Sequence, residues 1–287
     1  MIAVVGSINL DLVVTVERHP APGETVMGGD RRELPGGKGA NQAVAVARLG
    51  GDVAMVGRVG VDAHGGRLRD HLAREGVGVE HVVVDDDAPT GMALIAIDGA
   101  GENTIVVSPG ANAHVGADDV RAAADVLGDA AVTLLQHEVP ASAVDAAIRT
   151  AGGKVVLNPA PARALVGEVD VLVPNRGELA GITGRTDGDP AALARSLDLA
   201  RAVVVTLGAE GVLVVEGGRE ERIEAPRVHA VDSTGAGDAF CGALAQALAD
   251  GADLVEAARW AVRVAAVSVT RVGAQSGLPR RADVPAA

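Results

Sequence analysis

The chain has 287 residues, 48% of them hydrophobic and 22% charged, the balance of a globular protein with a sizeable core; disorder and collagen are excluded. Phe, Trp and Tyr total two residues, so the core must be built from Ala, Val, Leu and Ile, and aromatic platforms for stacking bases are ruled out. A net charge of -13 repels polyanions over most of the surface, which excludes nucleic acid as a partner and confines any anion site to a local cradle.

From the N-terminus, strand-length apolar runs alternate with Ala/Arg/Leu-rich stretches of helical period, the pattern of βαβ units and a parallel sheet; the fold class is α/β. Strands are predicted over residues 1–5, 53–56, 131–135, 154–157, 170–173, 202–206 and 212–215, and helices over 39–49, 65–75, 141–150, 191–199, 236–249 and 254–270. Two stretches break the rhythm. Residues 11–16 and 25–34, then 91–97 and 103–107, alternate apolar and polar positions around turns at Pro22-Gly23 and Asp98-Gly99, with no helix between them. They predict antiparallel strands of a small inserted sheet, residues 11–34 and 91–108, on a body of residues 1–10, 35–90 and 109–287. So small a sheet needs a cover, and a homodimer through this lid is expected. Asp85-Asp86-Asp87 is read as a solvated turn.

No uncharged apolar run reaches the ~18 residues that span a bilayer, and the first residues lack a basic leader, so no membrane partner and a cytoplasmic location are expected. The single Cys241 cannot form an internal disulfide, and the seven His residues have no zinc-ligand spacing.

Two glycine-rich turns open helices. Asp232-Ser233-Thr234-Gly235-Ala236-Gly237-Asp238 aims three successive backbone N–H groups, those of Gly235, Ala236 and Gly237, outward from a helix N-terminus, a cradle for an anion or for charge developing on a phosphoryl group. Asp238 is there either an ordinary first-turn carboxylate or a base. Gly36-Gly37-Lys38-Gly39-Ala40-Asn41-Gln42 carries one of only two lysines, Lys38 and Lys154, among 25 basic residues. It lacks the Walker A order, and Gly6-Ser7-Ile8-Asn9 lacks the third glycine of a dinucleotide fingerprint.

Together these segments resemble the two signatures of the ribokinase-like (PfkB) carbohydrate kinase family. Further matches are Pro22-Gly23-Glu24-Thr25, Gly101 to Ile105, Gly110-Ala111-Asn112, Gln136-His137-Glu138, Asn158 to Pro161, Asn175 to Glu178, Thr206-Leu207-Gly208 and Arg271 to Gln275. The resemblance implies a three-layer α/β/α body with a mostly parallel sheet and a β-lid. It also implies ATP-dependent phosphorylation of a pentose, D-ribose by the nearest pattern, at its primary hydroxyl; kinases of 2-deoxyribose, nucleosides or other sugars share the catalytic turn and stay open.

By resemblance Asp238 is the catalytic base, and Gly235, Ala236 and Gly237 hold the transition-state charge. Asn9, Asp11, Gly37, Lys38, Asn41 and Glu138 contact the sugar together with Asp238. Asn175 and Glu178 serve MgATP, and Thr206, Leu207, Gly208 and Gly211 approach the nucleotide, with Val262 against the base. Asp232, Thr234, Ser268, Arg271 and Gly273 match a monovalent-cation site, K⁺ by family, although Gly277 stands where a relative has a hydroxyl. Cys241 and His137 are read as structural.

Overall fold

The computed structural model describes residues 1–285. Its strands in chain order are β1 (Ile2–Val5), β2 (Asn9–Thr15), β3 (Arg32–Gly36), β4 (Val53–Gly60), β5 (Gly78–Asp85), β6 (Gly91–Ile97), β7 (Asn103–Ser108), β8 (Val132–Gln136), β9 (Lys154–Asn158), β10 (Val169–Leu172), β11 (Ala200–Thr206), β12 (Val212–Glu216) and β13 (Arg219–Ile223). The helices are α1 (Lys38–Arg48), α2 (Ala63–Arg74), α3 (Ala117–Ala122), α4 (Ala124–Asp129), α5 (Ala141–Thr150), α6 (Arg176–Thr183), α7 (Pro190–Arg195), α8 (Ala236–Ala249), α9 (Leu254–Ser268) and α10 (Ala274–Gly277).

Nine strands in the order β13-β12-β11-β10-β9-β8-β1-β4-β5 form the body sheet, parallel from β5 through β11 and closed by the antiparallel pair β12 and β13. The central strands are buried on both faces, which is why they read as continuous apolar runs. Ile2 and Val4 of β1 pack toward α1, α2, α8 and α9, whereas Ala3 and Val5 pack toward α3, α5, α6 and α7. This is the α/β/α sandwich that the sequence predicts. Small residues let its helices approach closely: a Cβ on Gly242 of α8 would stand 2.6 Å from the Cβ of Ala45 and 2.9 Å from the carbonyl of Gln42 on α1. That approach brings the start of α1 against the start of α8.

The second sheet, β3-β2-β6-β7, is the lid. Its strands are not all antiparallel as expected. β2 and β3 pair antiparallel, as do β6 and β7, but β2 and β6 run parallel over Asn9 to Thr15 and Gly91 to Ile97. The reason is topological: the chain returns to the body between β3 and β6, and so long a crossover permits parallel pairing. The predicted strand at 25–34 reduces to Arg32–Gly36 and an isolated bridge from Gly28 to Val16, because residues 20–31 are an exposed Pro- and Gly-rich turn.

Other differences are local. β5, β13 and the short helices α3, α4, α6 and α10 lie outside the predicted elements: β5 and β13 are the partly exposed edge strands of the body sheet, with charged residues among the apolar ones, and the helices are too short for their period to stand out. α7 ends at Arg195 rather than 199, where the Ser196 hydroxyl turns back to the Leu193 carbonyl. Asp85 is no solvated turn residue: it is buried, pairs with Arg58 at 2.9 Å and His114 at 3.0 Å, and accepts the N–H groups of Asp87 and Ala88, which hold its pKa at about 2.

Candidate active site

The loops that follow β1, β8, β9, β10 and β11 lie at the carboxyl ends of parallel strands, where open α/β sheets form their clefts. The N-terminus of α8 meets them there. Gly235 caps that helix in the left-handed region at φ 76°, and Asp238 is buried in its first turn. One expectation is corrected: the N–H of Ala236 closes a turn onto the Ser233 carbonyl at 3.2 Å, so it is spent inside the loop. Gly235 and Gly237, whose N–H groups have no acceptor among the described residues, remain as the cradle.

Asp238 Oδ2 accepts from Asn41 Nδ2 at 2.9 Å and its Oδ1 from Gln42 Nε2 at 3.0 Å. Burial raises its pKa, and the Lys38 ammonium with the two amides opposes that rise. A carboxylate whose pKa is raised in this way is a stronger proton acceptor than one in water, as a general base requires. Lys38 faces Asp238, Glu138 and Glu178, and their charge raises its pKa despite burial. It lines a cavity of ≈ 210 Å³ with Asn175, Glu178, Gly235, Gly237 and Asp238. Lys38 therefore sits on the anion side of the base as well as at the expected sugar side.

On the sugar side, Gly37 adopts φ 89°, and a Cβ there would stand 2.7 Å from the backbone nitrogen of Asn9. Gly36 likewise leaves room for the carboxylate of Asp11, which a Cβ would meet at 2.2 Å. Glu138 Oε2 accepts from the Ser7 hydroxyl at 2.5 Å and the Lys38 N–H at 3.0 Å, so it is pinned to the start of α1. Asn112, seen in the sequence only as part of a matching segment, proves to orient Asn9. Its Nδ2 donates to Asn9 Oδ1 at 2.7 Å, leaving the Asn9 amide donors for a ligand. Ser7 and Asn112 carry no chemistry of their own, which is why sequence reasoning passed over them.

Burial first, then the charges of Glu138 and Asp238, push Asp11 up to about 7, with Lys38 opposing. A folded pKa above the unfolded one gives stability that is present at low pH and lost as pH rises through the folded value. Asp11→Asn apoprotein should therefore melt several degrees above the parent at about pH 8, with the gap closing toward about pH 4, in a thermal-shift series.

Nucleotide-side residues gather around a second cavity of ≈ 510 Å³, mostly apolar, lined by Thr206, Gly208, Gly211, Phe240 and Val262. Gly211 has φ 95° and a Cβ there would collide with the Ile223 carbonyl, so the β11–β12 turn requires glycine. The Leu207 side chain points instead into the core on the far face of the sheet and does not line the cavity. Asn175 and Glu178 form a capping box on α6, Asn175 Oδ1 accepting the Glu178 N–H and Glu178 Oε2 the Asn175 N–H, both at 2.8 Å. That leaves Glu178 a carboxylate oxygen toward the anion cavity, a hard donor suited to Mg²⁺ or its waters.

The expected cation positions flank the cradle unequally. Asp232 accepts the N–H groups of Thr234 at 2.9 Å and Gly273 at 2.8 Å, tying the two loops together. The carbonyls of Ser268 and Arg271 converge within 3.4 and 3.5 Å of where a Cβ on Gly277 would stand, while the Arg271 side chain turns away to Asp283. Among the described residues no cluster of three or more His, Cys, Asp or Glu could hold a metal ion, and no helix is long and apolar enough to cross a membrane. His137 is buried beside Arg163, its pKa lowered to about 4, and Cys241 is buried with its pKa raised.

A buried carboxylate beside the backbone N–H groups of a helix N-terminus, with polar side chains on one side and an apolar cavity on the other, is an arrangement suited to a phosphotransferase that acts on a sugar hydroxyl. Comparison with known proteins agrees: the chain belongs to the pfkB family of carbohydrate kinases, whose pattern matches residues 1–281. It is 38% identical over 294 residues to the ribokinase of Haemophilus influenzae, covering 98% of this chain and 96% of that one. Its fold superposes on the ribokinase of Thermotoga maritima with a TM-score of 0.92 at 35% identity, over 99% and 97% of the two chains. It superposes on Arabidopsis thaliana ribokinase complexed with ribose and ATP with a TM-score of 0.88 at 33% identity, over 98% and 96%.

Proposed function

We propose that this chain phosphorylates D-ribose at its 5-hydroxyl with ATP, giving ribose 5-phosphate and ADP. The observation that carries this reading is Asp238, buried between a side offering Asn9, Asp11, Lys38, Asn41 and Glu138 and an apolar nucleotide cavity. Asp238 takes the proton of the 5-hydroxyl as that oxygen bonds to the γ-phosphorus and the bond to the β,γ-bridging oxygen breaks. The Gly235 and Gly237 N–H groups and Lys38 face the charge on the transferring group, the electrostatic work on which phosphoryl transfer mostly depends. Mg²⁺, held through Glu178 and Asn175, would neutralise phosphate charge when bound with ATP.

Asp11 accepts hydrogen bonds from secondary hydroxyls of the sugar, so loss of the 2-hydroxyl leaves a buried acceptor short of a partner. 2-Deoxyribose should fall behind ribose by about tenfold to 100-fold in kcat/KM. Adenosine should be poor, because no aromatic wall faces the sugar side. A kinetic panel of the three under saturating MgATP tests the assignment, and adenosine ahead of ribose would overturn it.

Potassium occupies the space between the Asp232 and Gly273 loops in this proposal, with carbonyls of Ser268 and Arg271 as donors, and orders the cradle beside them. Turnover should be higher in K⁺ than in Na⁺; equal rates in K⁺, Na⁺ and a bulky organic cation would remove the site. The lid pairs with that of a second chain to make a homodimer. Support comes from β7, an edge strand exposed along its whole length, with Ile105, Val106 and Val107 half open to solvent. Light scattering at micromolar concentration should give twice the chain mass, and a monomer would refute it. The cytoplasm, where ATP and free pentose coexist, is the proposed location.

A further inference from the structure

Both oxygens of Asp238 receive an amide N–H, and each amide is held from behind by another. Asn41 Oδ1 accepts from Gln275 Nε2 at 3.0 Å, and Gln275 Oε1 lies 2.8 Å from His71 Nε2. On the other oxygen, Gln42 Nε2 donates to Asp238 Oδ1 at 3.0 Å and to Asn158 Oδ1 at 3.3 Å, while Gln42 Oε1 accepts from Gln136 Nε2 at 2.6 Å. An amide has a donor end and an acceptor end, and what binds one end fixes which end faces the other way. The Gln136–Gln42 arm is the informative one, since Gln42 and Gln136 are wholly buried and line neither the anion cavity nor the nucleotide cavity.

Gln136 sharpens the point. Its Oε1 has no hydrogen-bond partner among the described residues, and it sits in the gap left by Gly6, where a Cβ would stand 2.0 Å away. The hydrogen bond this buried side chain makes is to Gln42. A buried amide with one end unpaired is costly, and its presence here points to a task for the other end.

We propose that Gln42, oriented by Gln136, is a positioning residue for phosphoryl transfer, aiming the Asp238 carboxylate at the sugar hydroxyl and favouring its ionised, proton-accepting form. The inference rests on Asp238 being the base. Other charged or titratable groups face the same carboxylate: Lys38 on α1, Glu138 after β8, Asp11 on β2, Glu178 on α6 and Cys241 on α8, with His71 of α2 behind Gln275. Of these Lys38 lowers the Asp238 pKa and Glu138 raises it, so a lost amide donor is not made good by the remaining carboxylates.

The test uses the full chain with Gln42→Leu, Gln136→Met and both together, following kcat and the ribose KM across pH. Gln42→Leu should move the acid limb of kcat upward by about one pH unit, so that below it turnover falls about tenfold, with the ribose KM little changed. Gln136→Met, which keeps volume and removes the donor, should shift the limb the same way by less, and the double variant should match Gln42→Leu alone. In an Asp238→Asn background, Gln42→Leu should cost nothing further. A pH-independent loss, additive effects, or an equal loss in the Asp238→Asn background would overturn the proposal; if Gln42→Leu does not fold, Gln136→Met decides by the same limb. Near-normal turnover by Asp238→Asn itself would instead overturn the base on which it rests.

Discussion

Asp238→Asn is expected to lower kcat by about 10²-fold to 10⁴-fold, the range for losing a general base, while ribose still binds. The variant keeps the shape of the side chain and removes its capacity to take a proton. Its neighbours are the reason the effect should be large: Asn41 and Gln42 both present donors, so an asparagine must place its own NH₂ group against one of them and is misaimed as well as non-basic. Fold should persist, since α8 is anchored by Phe240, Leu244 and Leu248 further along its length. Steady-state kinetics with ribose and MgATP checks this, with thermal unfolding as the control.

Lys38→Met should cost about 10²-fold to 10³-fold in kcat, the range for removing one preorganised group that faces developing charge. The same change leaves Asp238, Glu138 and Glu178 facing one another without the intervening cation, so the pKa of Asp238 rises and the acid limb of kcat moves to higher pH. Lys38→Arg should not restore the rate, because the planar guanidinium is larger than the pocket of a compact ammonium. A kcat within a factor of about two of the parent at every pH would show that Lys38 is a structural counter-ion rather than part of the transfer machinery.

How much of this could be read beforehand follows from which residues advertise chemistry. Asp238, Lys38 and the glycines around them stand out because a Gly-rich turn before a helix is a local signal, complete within a few residues, and the rarity of lysine in an arginine-rich chain, with Lys154 the one other, adds to it. The body sheet was legible for the same reason, since a doubly buried strand such as Ile2–Val5 is an unbroken apolar run, and Val132–Gln136 is interrupted only by Thr133 before its last residue. The lid was legible as an alternation but not as a topology, because the parallel pairing of β2 with β6 depends on a return through the body that no local pattern encodes.

The orienting residues were illegible for a different reason. Asn112 meets Asn9 from 103 residues away and Gln136 meets Gln42 from 94, and a buried amide looks in sequence like any other polar residue. The Ala236 N–H was misread because a run of three amides at a helix start appears continuous until the turn geometry assigns one of them to Ser233. Asp85 was misread because its partner Arg58 comes from the adjacent strand, so an acidic run resembled a solvated turn.

The most direct test of the central claim is ³¹P and ¹³C NMR of the product formed from ribose and MgATP by the purified chain. Stoichiometric ADP and a single monophosphate whose phosphorus couples to C5 are expected, with formation slowed by about 10²-fold to 10⁴-fold in Asp238→Asn. Phosphate on C1 or another carbon, or ADP formed together with free inorganic phosphate and no sugar ester, would contradict the claim.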